Sequence, residues 1–351
     1  MSGLSASTNW RRFKFGQLGL LALFIGEIAL MSALIPGYFS LDGLLFASQG
    51  FVEAGIIALG MTLVIVAGGL DISVGSLLGL VVVAVGYSSH AGLPLPFAMV
   101  VGLLAGTAGG ALNGSIIALL RMNPLVVTLG TFALFRGIAL AISNSLAVSG
   151  FPEWFQFLGQ GTIGIVPIPL IVLVILAVVF HILLTQTLFG RVVYAVGSNA
   201  LATQFSGRDP DRIRLAVYTL QGFLVGVAGI LYCARVSSAR GTEGLGLEFV
   251  VITMVIFGGA RITGGHGSIT GTVLGGLIIW YLQDGISFAG IRSDWGLVIT
   301  GLFLLAGVLF NENRNALGVM FGLLTDRHQS RDDDGSNTHE KQEESHVEST
   351  A

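Results

Sequence analysis

The chain has 351 residues, 53% hydrophobic and only 11% charged, with a formal net charge of −3 and a mean hydropathy of +0.83. A water-soluble domain carries about 25% charged residues, so a water-solvated exterior is excluded over most of the length and lipid is the natural solvent. Three of the 17 basic and eight of the 20 acidic residues lie from Asp326 onward, leaving 14 and 12 before it; the negative charge is that of the tail and argues against nucleic-acid binding.

A transmembrane helix needs about 20 mostly apolar residues, and ten segments answer to this. Residues 1–16 read as a short cytoplasmic segment. Arg11, Arg12 and Lys14 precede the first span, 17–35, which is long and followed by others, and so reads as an anchor rather than a cleaved leader. Glu27 falls near its middle, where a carboxylate costs about 2.5–3.5 kcal/mol. The second span, 51–67, opens on Glu53, expected among headgroups, and nearly touches the third, 72–88. Between them stand Gly68, Gly69, Asp71 and Ser73. Asp71 or Ser73 there either caps the next helix or belongs to a half-helix end of the kind that builds substrate sites.

The fourth span, 95–119, offers Gly102, Gly106 and Gly110 on one face for close helix packing and carries Asn113. Asn123 precedes the fifth, 124–142, in which Thr128, Thr131 and Phe132 lie three or four apart on one face, with Arg136 further along. The longest outer loop, 143–162, holds Phe151, Trp154, Phe155 and Phe157, which suit an interfacial aromatic belt. After the sixth span, 163–185, comes the longest cytoplasmic connection, 186–214. Its stretch SNALATQFS reads as a one- to two-turn helix capped by Ser198 or Asn199.

Spans at 215–234, 247–260, 267–283 and 295–310 complete the bundle. TLVIVAGGLDISVGS (62–76) aligns with TMVIFGGARITGGHGS (253–268) with one gap, an echo expected either from an internal repeat or from shared glycine-rich composition. The tail, 313–351, reads as cytoplasmic and acidic, and from Asp326 it lacks the large apolar groups a fold requires.

Short cytoplasmic loops favour basic residues. With both termini inside, Arg11, Arg12, Lys14, Arg121, Arg191, Arg208, Arg212, Arg214, Arg261 and Arg314 are cytoplasmic, against Arg235, Arg240 and Arg292 outside. The expected fold is therefore an all-α polytopic membrane protein of about ten transmembrane helices with cytoplasmic termini.

No enzyme is visible. A phosphate-binding loop needs a lysine in G-x-x-x-x-G-K-[ST], and the two lysines, Lys14 and Lys341, stand in no such setting. Cys233 is the one cysteine, so neither an intrachain disulfide nor a cysteine metal cluster is expected. No catalytic residue, metal or cofactor is assigned to the chain.

Four ordered stretches carry a resemblance: GMTLVIVAGGLDISVGSLLGL (60–80), NPLVVTLGTFALFRGIA (123–139), GRVVYAVGSNALATQFSG (190–207) and FGGARITGGHGSITGTVLGGLI (257–278). They resemble the membrane permeases of the ribose, xylose, rhamnose and autoinducer-2 type ATP-binding cassette importers, over roughly 17–310. The resemblance implies that two permeases, identical or paralogous, pair in the inner membrane. A cytoplasmic ATPase holding ATP and Mg docks on each, and a periplasmic sugar-binding protein delivers the solute. It also implies that Ser198, Asn199, Ala202, Gln204, Phe205, Ser206 and Gly207 form the segment that receives the ATPase stroke. ALATQF departs from the family in lacking an acidic residue, and Arg261 replaces a smaller residue.

For a sugar, hydroxyl and amide groups beside aromatic faces make a reasonable lining. The candidate pathway is therefore Asp71, Ser73, Asn113, Asn123, Thr128, Thr131, Phe132 and Arg136, although the same groups also serve to pack helices. The rival readings are an ion-coupled secondary transporter using Glu27 and Asp71, an ATP-driven permease for branched-chain amino acids or nucleosides, and a passive channel or scaffold.

Overall fold

The computed structural model of the protein describes residues 4–35, 37–292 and 294–312; the expected acidic tail, 313–351, lies outside them. The helices are α1 (Leu4–Leu34), α2 (Leu41–Val66), α3 (Val74–His90), α4 (Leu95–Leu119), α5 (Pro124–Ser143), α6 (Glu153–Gln160), α7 (Ile168–Gln186), α8 (Leu188–Ser198), α9 (Ala200–Phe205), α10 (Pro210–Val236), α11 (Leu247–Phe257), α12 (Ile269–Phe288) and α13 (Asp294–Glu312). Two-residue strands pair antiparallel: β1 (Val148–Ser149) with β4 (Ser238–Ala239), and β2 (Thr162–Ile163) with β3 (Val166–Pro167). Residues 1–307 form one compact unit; of the second, 308–351, only the end of α13 is described.

A helix occupies each of the ten segments read as spans. Among the described residues, six stretches are long and apolar enough to cross a membrane: Gln17–Leu34 of α1, then α2, α4, α5, α7 and α10. Helix α2 begins ten residues before the expected start, at the Ser40 cap, whose hydroxyl accepts from Gly43 N.

Apolar on every side, α2 is buried from Phe51 to Val66, as a helix hydrophobic all round must be. It packs against α7, α10, α11 and α12. Helices α4 and α10 meet through bare backbone. A Cβ on Gly106 would lie 2.7 Å from the Gly222 carbonyl oxygen and 2.8 Å from Gly226 Cα, and one on Gly110 would lie 2.7 Å from Gly222 Cα. Gly102, expected on the same face, instead fits against Val85 of α3.

The two echoing segments end alike. In α2 the N–H groups of Gly68 and Gly69 donate to the carbonyls of Ile65 and Val64. In α11 those of Gly259 and Ala260 donate to Ile256 and Val255. Both are Schellman ends closed by a left-handed glycine, with φ of +81° at Gly68 and +92° at Gly259.

Two connections differ from expectation. The connection 143–162 contains α6, and its aromatics do not all lie on the surface as a belt would require. Phe151 and Phe155 are buried, stacked at 5.3 Å between ring centroids; only Trp154 and Phe157 remain exposed. The connection 186–214 is a sharp turn into α8, which buries Val192, Val193 and Val196, followed by α9. Neither α6 nor α8 is long enough to register as a span.

Candidate functional site

The expected pathway residues separate into two clusters. The first surrounds the broken-helix link between α2 and α3. Asp71 is fully buried; its Oδ1 accepts from Ser73 N at 2.9 Å and from Ser73 Oγ at 2.6 Å, and Asn113 Nδ2 on α4 donates to Ser73 Oγ at 2.9 Å. The Leu70 carbonyl accepts from Tyr218 on α10 at 3.0 Å and from Thr128 on α5 at 3.4 Å. Three helices, α4, α5 and α10, thus converge on the turn between α2 and α3. Asp71 Oδ2 and Asn113 Oδ1 have no partner, and Gln221, one turn along α10 from Tyr218, is buried with both amide atoms unpaired.

Asn123 lies apart from this cluster. It is exposed and caps α5, accepting from Leu125 N at 2.9 Å, because the preceding turn leaves that N–H without a helical partner. Thr131 gives its hydroxyl proton to Val127 O, one turn back on its own helix, and Thr128 shares its proton between Pro124 O, likewise one turn back, and Leu70 O. Phe132 is half-buried on the same stripe.

Arg136 belongs to the second cluster, near the other end of the bundle. Its Nη1 donates to the carbonyls of Gly241 at 2.6 Å and Glu243 at 2.8 Å, while Nε and Nη2 are buried without partners. Glu243 in turn accepts from Tyr232, and the Arg235 guanidinium lies 5.4 Å from the centre of the Tyr232 ring. Arg235 Nε donates to Glu53 Oε1 at 2.7 Å. Glu53 is therefore not a headgroup residue: at 3% exposure it needs the cation that α10 brings to it.

The expected coupling segment is a capped turn on the surface. Asn199 is the cap, accepting from Ala202 N at 2.9 Å. Ser198 instead closes α8, its hydroxyl donating to Tyr194 O. Thr203 is buried, Ser206 Oγ donates to its carbonyl, and Gly207 turns the chain away with φ +80°. Ala202, Gln204, Ser206 and Gly207 are exposed, and Leu201 and Phe205 stand out at 67% and 90% exposure.

Helix α8 connects this turn to both broken-helix ends. A Cβ on Gly197 would lie 1.8 Å from the Val66 carbonyl oxygen and 2.6 Å from Gly265 N; one on Gly264 would lie 2.9 Å from Gly68 Cα. Gly265 N donates to Val66 O at 2.8 Å. The Tyr194 hydroxyl, whose pKa burial pushes up to about 12, donates to Gly267 O at 2.7 Å. Three backbone segments therefore touch at one point, directly below the Asp71 turn in sequence.

The described residues thus hold an exposed capped turn, close backbone contacts behind it and a buried polar cluster, and among them no nucleophile is set against a base. Residues 45–308 match the model of a family described as the branched-chain amino acid transport system/permease component. The chain belongs to this permease family.

The permease is also similar to the autoinducer 2 import system permease protein LsrD of Escherichia coli strain K12, with 37% identity over 306 residues, covering 85% of this chain and 92% of the relative. LsrD of Shigella flexneri matches to the same extent. LsrD of Salmonella paratyphi A is 36% identical over 307 residues, covering 86% and 92%. No solved structure matches. All four motif stretches lie within the family match. The permease is a multi-pass membrane protein and a transport component, not an enzyme.

Proposed function

We propose that this chain is the membrane-spanning permease of an ATP-driven importer for a sugar or sugar-like solute of the autoinducer-2, rhamnose, ribose or xylose type. It crosses the bacterial inner membrane ten times with both termini cytoplasmic, and it pairs with a second permease. A periplasmic binding protein supplies the solute. A separate ATPase, which holds the ATP and Mg, docks at α9. The relatives' identity supports the solute class, and the distribution of basic residues supports the orientation.

The observation that carries the reading is Phe205. A phenyl ring 90% exposed on a turn held by its own cap and by buried Thr203 costs solvation unless a partner covers it. Its route inward through Gly197 leads to the broken-helix ends beside Asp71. Motion at α9 therefore shifts the junction, and alternating access follows from two arrangements of that junction. Phe205→Asp is expected to insert normally yet abolish ATP-dependent uptake and loosen ATPase co-purification. Uptake equal to the parent's would remove the assignment.

Glu27 favours a second reading. Both its carboxylate oxygens lack partners on a span, as in an ion-coupled carrier. Glu27→Gln then stops uptake only if that reading holds.

A further inference from the structure

The second buried pair borders a cavity that the pathway residues do not reach. It measures ≈ 760 Å³ and lies among the link from α1 to α2, the first turns of α2, α6 and the distal ends of α10 and α12. Helix α10 has 27 residues, so Arg235 stands roughly 40 Å from the α9 end at 1.5 Å per residue. The cavity therefore belongs to the face opposite the coupling turn.

Its lining is mixed in a particular way. Arg235 and Asp284 are its two charged members. Arg235 is fixed by Glu53 through Nε alone, leaving its Nη groups without a bond inside the chain. Gln49, which makes no hydrogen bond among the described residues, and Ser40 also line it. Tyr38 donates to Tyr281 O at 3.0 Å beside Asp284, and packs edge-on to the exposed ring of Phe288 at 5.6 Å. Hydrocarbon would leave these polar groups unsatisfied at several kcal/mol, so the space holds water or a polar guest. Arg235 is already neutralised by Glu53, so the carboxylate of Asp284 is the charge left over at the lining, which disfavours an anionic guest. Donors, acceptors and an aromatic wall within a volume in the range of small-molecule sites suit hydroxyls and an apolar ring face.

We propose that this cavity is a receiving site for a neutral polyhydroxylated solute of monosaccharide size, on the outer side of the permease. The site rests on the importer reading for its solute class, and on its own geometry for its place. Solute released above the membrane occupies it first, with Arg235 donating, Asp284 accepting and Phe288 against the ring face.

The test uses the full chain with its partner subunits in intact cells, in which native Cys233 is buried. Gln49→Cys is exposed to a membrane-impermeant maleimide with and without D-ribose, L-rhamnose or autoinducer 2, each alone. Labelling from outside is expected, slowed at least fivefold by the transported solute. Asp284→Asn is expected to raise the half-saturating concentration for uptake at least fivefold while the maximal rate stays within twofold. If neither Gln49→Cys nor Ser40→Cys is labelled from outside in normally inserted protein, the site is overturned. Labelling that no solute slows, with unchanged half-saturation in Asp284→Asn, overturns it equally. Either result leaves the importer reading intact provided uptake stops when the ATPase is inactivated; uptake that ignores the ATPase overturns that reading instead.

Discussion

At the scale of single residues, the bundle's polar groups divide into those that satisfy each other and those that do not. Glu53 and Arg235 form the clearest satisfied pair. Removing one partner of a buried pair costs about 3–5 kcal/mol, and because Arg235 is itself partly exposed the lower end applies. Glu53→Gln is expected to lower the unfolding temperature of detergent-purified protein measurably. An unchanged melting curve would show that the pair contributes nothing. Much of the Asp71 cluster was legible in the sequence, because Asp71, Ser73, Asn113 and Thr128 are polar letters in apolar runs. Tyr218 and Gln221 were not singled out, since a tyrosine or a glutamine within a span carries no signal of what it will face. Nor could any periodicity join Glu53 to Arg235, 182 residues away; that pairing exists only once α2 and α10 are packed. Asn123 shows the converse, a polar letter at a span boundary whose function is to end a turn.

At the scale of elements, close approach of α4 and α10 depends on having no side chains at the crossing. Gly110→Val would place methyl groups where Gly222 backbone now stands, and overpacking costs typically 1–3 kcal/mol even where side chains can yield. Backbone yields less, so we expect little folded protein to survive extraction. Gly130→Ala is the control: a Cβ there meets nothing within 4 Å, and its yield and unfolding temperature should match the parent's. Fluorescence-detected gel filtration in detergent reads both. Helix positions were legible because a long apolar run needs no context. The same window hid α6 and α8, whose buried faces alternate with exposed ones over too few turns. Helix α9 was legible through its cap chemistry, with Asn199 rather than Ser198 making the bond.

At the scale of the whole molecule, the proposed function has energy enter at one face and solute at the other. Uptake is expected to stop when cellular ATP is depleted and to continue when an uncoupler collapses the ion gradients while ATP is maintained. The reverse pattern would make Glu27 and Asp71 the coupling groups. The contact of Gly197 with the ends of α2 and the 258–268 connection sets how force travels between the faces. Bare backbone pressed against bare backbone is stiff under compression and has almost no grip under tension, with Gly265 N to Val66 O the hydrogen bond across it. If α9 receives the stroke as proposed, the contact would act as a pushrod rather than a hook, passing on an inward thrust and losing most of an outward pull. On that proposal the return stroke falls to elastic recovery of the bundle itself.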